Sequence, residues 1–236
     1  SAGGLINIVT PDPKFEPQGE FSVEGGNYGQ RSVKMYATTG ITDKLAIDFN
    51  GLYKADDGYL RDLVRSRRTG ALTSEAIRVK LLWQADDSFK ATLAAGASRA
   101  VDGYALSNQP LNGNSQGLRP PVPPVVATKP WTVALNGEPF GVSSQKFVWM
   151  KLAKEMSGLS IESSSSYSND YAESNTDQDG TTKLMTEVST PARSKYFTQE
   201  LRAVSNGDGK FQYIFGAYYL NGVAKLMERN GRGYSF

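Results

Sequence analysis

Cysteine and histidine are both absent from the 236 residues. Without cysteine there is no disulfide, no thiolate metal site and no Cys nucleophile. Without histidine there is no Ser-His-Asp triad, no H-E-x-x-H zinc site and no imidazole acid–base chemistry. No window offers roughly 18 consecutive apolar residues, so no transmembrane helix is expected. Net charge is nearly absent too, since 26 Lys and Arg stand against 24 Asp and Glu. With no long basic block, a nucleic-acid partner is excluded. Helical periodicity is scarce. These absences point to a β-rich chain that is not an enzyme, with no catalytic residue, cofactor or metal site expected. The lack of cysteine also fits an envelope protein.

What the chain does have is period-two alternation. Val33, Met35 and Ala37 alternate with Ser32, Lys34, Tyr36 and Thr38. Leu45, Ile47 and Phe49 alternate with Asp48 and Asn50, and Ile77, Val79, Leu81 and Trp83 with Arg78, Lys80 and Gln84. Phe89, Ala91, Leu93, Ala95 and Ala97 alternate with Lys90, Thr92 and Ser98. Similar runs surround Phe21, Leu159, Phe197 and Phe215, and Lys146 to Glu155 reads as a strand with both faces mixed. The total is about nine strands, mostly about ten residues long. Connections alternate in length. Thr42-Asp43-Lys44, Asp86-Asp87-Ser88, Glu155 to Gly158 and Asn206 to Gly209 carry the Asp, Asn and Gly of tight hairpins. Between them the reading places long loops at Ala55 to Ser74, Ala100 to Ser144 and Asp170 to Arg193, with a further one from Asn221.

A strand of about ten residues, tilted near 45°, covers about 25 Å, the hydrocarbon band of an outer membrane. Alternation alone fits two architectures. A sandwich or jelly roll turns its apolar face to a core, whereas a membrane barrel turns it to lipid and its polar face to a wet lumen. The barrel is favoured by short turns opposite long loops, by charges of both signs on the polar face, and by aromatics near strand ends. Those aromatics are Tyr28, Tyr53, Trp83, Phe89, Trp149, Tyr167, Tyr171, Phe197, Phe211 and Tyr219.

The opening Ser1-Ala2-Gly3-Gly4-Leu5-Ile6-Asn7-Ile8-Val9-Thr10 resembles the end of the plug domain in TonB-dependent outer-membrane receptors. Pro11, Pro13 and Pro17 look like that family's connector into the first barrel strand, although Pro11 stands where Lys or Arg is frequent. Gly25 to Gly29 resembles the first hairpin, Asp43-Lys44-Leu45-Ala46 the first periplasmic turn, and Gln199-Glu200-Leu201-Arg202 with Phe211 to Tyr219 a later hairpin. The resemblance implies an all-β fold: the last plug strand, then part of an antiparallel transmembrane barrel of about 22 strands. It divides the chain into residues 1–17, plug end and connector, and residues 18–236, an incomplete barrel. It implies TonB-energised uptake of a scarce extracellular solute, with a ferric siderophore as the default cargo and vitamin, carbohydrate and other organic cargoes open. The implied partners are outer-membrane lipid, the solute, and TonB through a segment upstream of residue 1. Alternatives are a passive porin-like channel and a secreted β-sandwich adhesin.

Seven residues are ligand-contact candidates. Arg61, Arg65, Arg67 and Arg68 form a basic run suited to an anionic cargo or to lipopolysaccharide phosphates, or to a plain solvated loop. Tyr104, Trp131 and Phe140 offer aromatic surface in the loop that also holds seven prolines. Asp56-Asp57 and the acids of 169–179 supply oxygen ligands of the type Ca²⁺ takes, without EF-hand spacing. Gly3-Gly4 reads as close packing at the plug–barrel junction rather than a phosphate loop, and Ser163 to Ser166 as a small-residue strand. Residues 5–10 are expected to lie outside the barrel wall, because Leu5, Ile6, Ile8 and Val9 form a continuous apolar run.

Overall fold

A computed structural model describes residues 9–103, 112, 125–177, 181–183, 187–207 and 210–227. Nine strands among them form one antiparallel meander. They are β1 (Gln18–Gly25), β2 (Arg31–Thr42), β3 (Leu45–Ala55), β6 (Leu72–Asp86), β7 (Phe89–Asp102), β9 (Phe140–Met156), β10 (Leu159–Asp177), β12 (Ala192–Ser205) and β13 (Ile214–Leu226), each paired with its predecessor. Three short strands, β4 (Leu60–Asp62), β5 (Arg67–Thr69) and β8 (Thr132–Val133), make a separate small sheet, and β11 (Glu187–Ser189) extends the edge of β10. A connection from each wall strand to the next neighbour in space is what a membrane barrel wall requires. Every backbone donor within the sheet then has a partner on the adjacent strand.

Register assigns the faces. Phe49, Val79, Ala95, Val148, Tyr167 and Phe197 are successive cross-strand partners in one outer row. Ile47, Leu81, Leu93 and Met150 form the next. Leu93, Ile77, Val148 and Met150 are exposed, as lipid-facing residues are when no lipid is present. The intervening row, Thr38, Asp48, Lys80, Ala94 and Trp149, faces the other way. A slip of one residue would exchange these faces and carry Asp48 and Lys80 into hydrocarbon.

The hairpins are fixed by local chemistry. Thr42 Oγ1 accepts the N–H groups of Lys44 and Leu45 at 3.2 and 3.1 Å. Asp86 Oδ1 accepts the Ser88 N–H at 2.8 Å and the Ser88 hydroxyl at 2.6 Å. These bonds, the hydroxyl one foremost, hold the Asp86 carboxyl below its ordinary range at the turn. Trp83 and Phe89 flank the same turn edge to face, their rings 5.8 Å apart. Gly158 supplies the left-handed residue of the third turn at φ +79°.

The strand count agrees with the sequence reading, but the strand lengths do not. β1 has 8 residues and β10 has 19, so the wall rises unevenly toward the long-loop side. The loop expected from Asp170 is still strand to Asp177, the one expected from Ala100 gives way to β9 at Phe140, and β13 continues past Asn221 to Leu226. Above the lipid both faces of a strand are solvated, so alternation fades while the backbone ladder continues. At the other end of β13, Phe211 precedes the strand. Trp149 is no girdle residue. It belongs to the inner row, which explains why both faces of β9 read as mixed.

Candidate functional site

Residues 9–15, an extended segment whose prolines at 11 and 13 restrict its backbone, are fastened to the inner face of the wall at β6 and β2. Lys80 is its main anchor. The ammonium donates to the Pro11 carbonyl oxygen at 2.6 Å, to Thr10 Oγ1 at 2.9 Å and to the Thr10 carbonyl oxygen at 3.3 Å, and it stands 3.8 Å from the Asp12 carboxylate. Only 1% of the Lys80 side chain is exposed. Three acceptors and a nearby carboxylate replace the water this charge gives up. The Trp149 ring stands 5.8 Å from the ammonium and closes its remaining side.

Two further bonds complete the attachment. Lys14 N–H donates to Thr38 Oγ1 at 2.8 Å, and Gly40 N–H donates to the Phe15 carbonyl oxygen at 2.9 Å. A Cβ on Gly40 would sit 2.9 Å from that same oxygen, so glycine permits the approach. Beside Lys80 lies Asp48, its direct cross-strand partner, which is also 1% exposed. Among the described residues the Asp48 carboxylate oxygens accept no hydrogen bond, and Arg78 stands 3.6 Å from them. The two cations, Arg78 and Lys80, compensate this carboxylate. A recess of about 500 Å³ opens beside the group, with Arg78, Lys80, Lys90, Thr92, Trp149 and Lys151 on its walls.

Farther along the inner face the charges pair across strands. Glu162 accepts from Lys151 at 2.8 Å and from Arg202 at 2.9 Å, and Arg202 lies 3.4 Å from Glu200. Ser166 and Thr198 share a hydroxyl contact of 2.6 Å. A polar lumen with both signs of charge is therefore built in.

At the long-loop end, three of the four candidate arginines have side-chain partners. β4 and β5 form a hairpin, and β8 from the next long loop adds to β4 in parallel. Leu60, Val133 and Leu135 form the small core between them. Arg65 donates to buried Asp62 at 2.7 Å and to the Asn136 carbonyl oxygen at 2.9 Å, and it lies 3.5 Å from Glu138. Arg67 pairs with the same Glu138. Arg68 lies over the Tyr28 ring, 5.3 Å from its centroid. Arg61 donates its backbone N–H to Trp131 at 2.9 Å, and its exposed side chain has no partner among the described residues. Two of the run's guanidinium groups, Arg65 and Arg67, thus meet at Glu138 and join two long loops.

The aromatic candidates divide. Trp131, 69% exposed, meets Tyr59 edge to face at 5.6 Å on the small sheet. Phe140 is the first residue of β9 and, by alternation, shares the outer parity of Val148 and Met150, so it is part of the wall rather than of the loop. Tyr104 lies outside the described residues, as do residues 5–8 of the expected plug strand. Val9 and Thr10 are not in a strand. The acids do not converge. Asp56 accepts the Gly58 and Leu72 N–H groups, Asp57 lies 3.6 Å from Arg31, and Asp170 accepts from Gln145. Among the described residues no three of them gather as a cation would require. The Lys80 group was not foreseen as a site. Its only trace in the sequence is the inward parity of Asp48 and Lys80.

A one-sided apolar meander, with short turns at one end and long loops at the other, has the form of an antiparallel transmembrane β-barrel wall. Comparison with solved structures agrees. The ferric yersiniabactin uptake receptor FyuA from Yersinia pestis superposes with a TM-score of 0.75 at 20% identity, over 95% of this chain and 33% of that one. The siderophore receptor PiuA from Acinetobacter baumannii gives 0.71 at 16% identity, over 91% of this chain and 31% of that one. The ferric-catecholate import receptor Fiu from E. coli K12, in its open form, gives 0.69 at 11% identity, over 92% and 36%. The chain thus spans about a third of the length of these receptors. No protein-family model matches it. Its fold is the barrel-wall fold of TonB-dependent outer-membrane receptors.

Proposed function

We propose that the chain is a portion of a TonB-dependent outer-membrane receptor that imports a ferric siderophore, with residues 1–17 ending the plug and residues 18–236 beginning the barrel. The observation that carries this reading is the anchored connector. A bare pore has no use for a segment fastened to its inner face through a buried lysine, whereas a plugged receptor needs its plug tethered to the wall. Similarity to three receptors named for siderophores supports the cargo class. The work is binding and release rather than covalent chemistry. Solute bound at the long-loop end shifts the plug between retained and released arrangements, and TonB supplies the pull. The loop sheet around Leu60 and Val133 offers Trp131, Tyr59 and Arg61 as surface for the solute.

The test is uptake of radiolabelled iron in an outer-membrane strain lacking its own siderophore receptors, with the intact protein supplied. Uptake with one or more siderophores that disappears when TonB is removed supports the reading. Uptake that persists without TonB would favour a passive channel.

A further inference from the structure

We propose that Asp48 is a positioning residue for release of the anchored segment: its carboxylate takes over the Lys80 ammonium and the Thr38 hydroxyl when residues 9–15 leave the wall. The inference rests on the plugged-receptor reading and gives a part in it to a buried acid that the anchored arrangement leaves without a hydrogen bond.

Register sets up the exchange. Thr38, Asp48 and Lys80 are successive direct partners in one inner row on β2, β3 and β6. All three are buried. A hydroxyl and an ammonium, both able to donate, thus flank a carboxylate that can only accept. Neither donates to it in this structure. Lys80 is turned to the segment, where it holds the Pro11 and Thr10 carbonyl oxygens and Thr10 Oγ1. The Thr38 hydroxyl accepts the Lys14 N–H at 2.8 Å and donates to the Ile47 carbonyl oxygen at 3.0 Å. Both neighbours of Asp48 are therefore committed to the segment. The remaining cation, Arg78, is the direct partner of Asn50 and reaches Asp48 only along the diagonal. It stands 3.6 Å away without a hydrogen bond, and among the described residues its own Nε is also buried without a partner.

A buried carboxylate that accepts nothing is costly, and such a group calls for a physical reason. Here the reason is competition. One set of donors serves two sets of acceptors, the segment and Asp48. Side chains directly opposite on an antiparallel pair have Cβ atoms about 5 Å apart, and the flexible four-carbon stem of lysine spans more than that. Lys80 and Thr38 can therefore turn to Asp48 by side-chain rotation, with the strands unmoved. Without Asp48, departure of residues 10–12 would strand a buried ammonium between the Trp149 ring and the Arg78 guanidinium. With it, the wall has two arrangements that each satisfy Lys80, and a pull on the segment need only tip the balance between them.

The test follows hydrogen exchange of the Lys14 and Gly40 amides, which report attachment of the segment, in the intact protein in lipid nanodiscs. Asp48→Asn keeps the shape and removes the charge that would receive Lys80, so the detached arrangement loses more than the attached one. Exchange at both amides is expected to slow by about fivefold or more. A merely structural carboxylate gives the opposite sign, because its loss leaves Arg78 and Lys80 uncompensated and loosens the segment. Faster or unchanged exchange therefore overturns the proposal. In a Lys80→Met background the Asp48→Asn effect should vanish, and its persistence there also overturns it. A second variant leaves the wall native and replaces residues 9–15 with a Gly-Ser stretch of equal length, so the answer does not depend on Asp48→Asn folding. Its structure should show the Lys80 ammonium and the Thr38 hydroxyl hydrogen-bonded to Asp48. An ammonium turned to the lumen beside a bare Asp48 overturns the exchange of partners. Iron uptake is measured in parallel: Asp48→Asn should lower the maximal rate with solute affinity unchanged. A wild type that imports no iron would instead reject the receptor reading, since exchange and structure report the partner swap without transport.

Discussion

The ammonium of Lys80 lies 2.6 Å from the carbonyl oxygen of Pro11, a contact between residues 69 positions apart. It joins the inner face of the wall to the segment that precedes the first strand. Replacing Lys80 with Met removes this donor and leaves the Thr10 and Pro11 carbonyls without it. The expected cost is about 1.5–3 kcal/mol of local stability. It should appear as faster hydrogen exchange at the Lys14 and Gly40 amides, which bond to Thr38 and Phe15, by roughly tenfold or more. Unchanged exchange at both amides would show that the anchor is redundant.

Leu81 and Lys80 are adjacent and lie on opposite faces of β6. Spin labels in the intact protein in bilayers should report lipid contact at 81 and none at 80. Leu93→Lys should cost about 2–4 kcal/mol of folding into vesicles, while Thr92→Lys, one residue away and facing inward, should cost much less. Similar losses for both would contradict the facing.

Arg65→Ala is expected to separate the two long loops. It removes the bonds to Asp62 and Asn136 and leaves a buried carboxylate uncompensated, a loss of about 3 kcal/mol. Limited proteolysis should then cut within residues 56–71 and 125–139 together, because each covers the other. Gly58→Ala should act similarly. Its φ is +78°, and a Cβ there would collide with the Thr69 carbonyl. Cleavage confined to one loop would refute the coupling.

Deletion within the second long loop should depend on where it stops. Removing residues 106–124 keeps Val133 and Leu135 against Leu60, so the hairpin should stay folded. Removing residues 106–138 strips that core, and cargo affinity and uptake should both fall further. Equal affinity and uptake in the two deletions and in wild type would leave the loop sheet without a part in capture.

The alternating strands were legible because a wall with unlike faces writes its periodicity into every segment that crosses the lipid. The upper reaches of β10, where Ser, Asn and Asp occur on both faces, were not, since solvent on both sides erases the pattern. Phe140 was read as loop for the same reason. Trp149 was read as girdle because position along a strand does not show which face a residue occupies when both faces are mixed. Arg65 and Arg67 looked like free charge because Glu138 lies some seventy positions away in sequence. Lys80 was correctly turned inward, yet nothing local revealed that Pro11 waits there. Long-range partners of this kind are set by the fold alone.

The anchored segment also fixes a mechanical path. Tension applied along the backbone from residue 9 toward β1 meets the Lys80 bonds first, then the bonds of Lys14 and Phe15 to Thr38 and Gly40. Force is shed into β6 and β2 before it reaches β1. The eight-residue strand β1 is thus shielded like the last stitch of a seam behind a bar tack, and whatever is pulled on the near side can move without unzipping the wall.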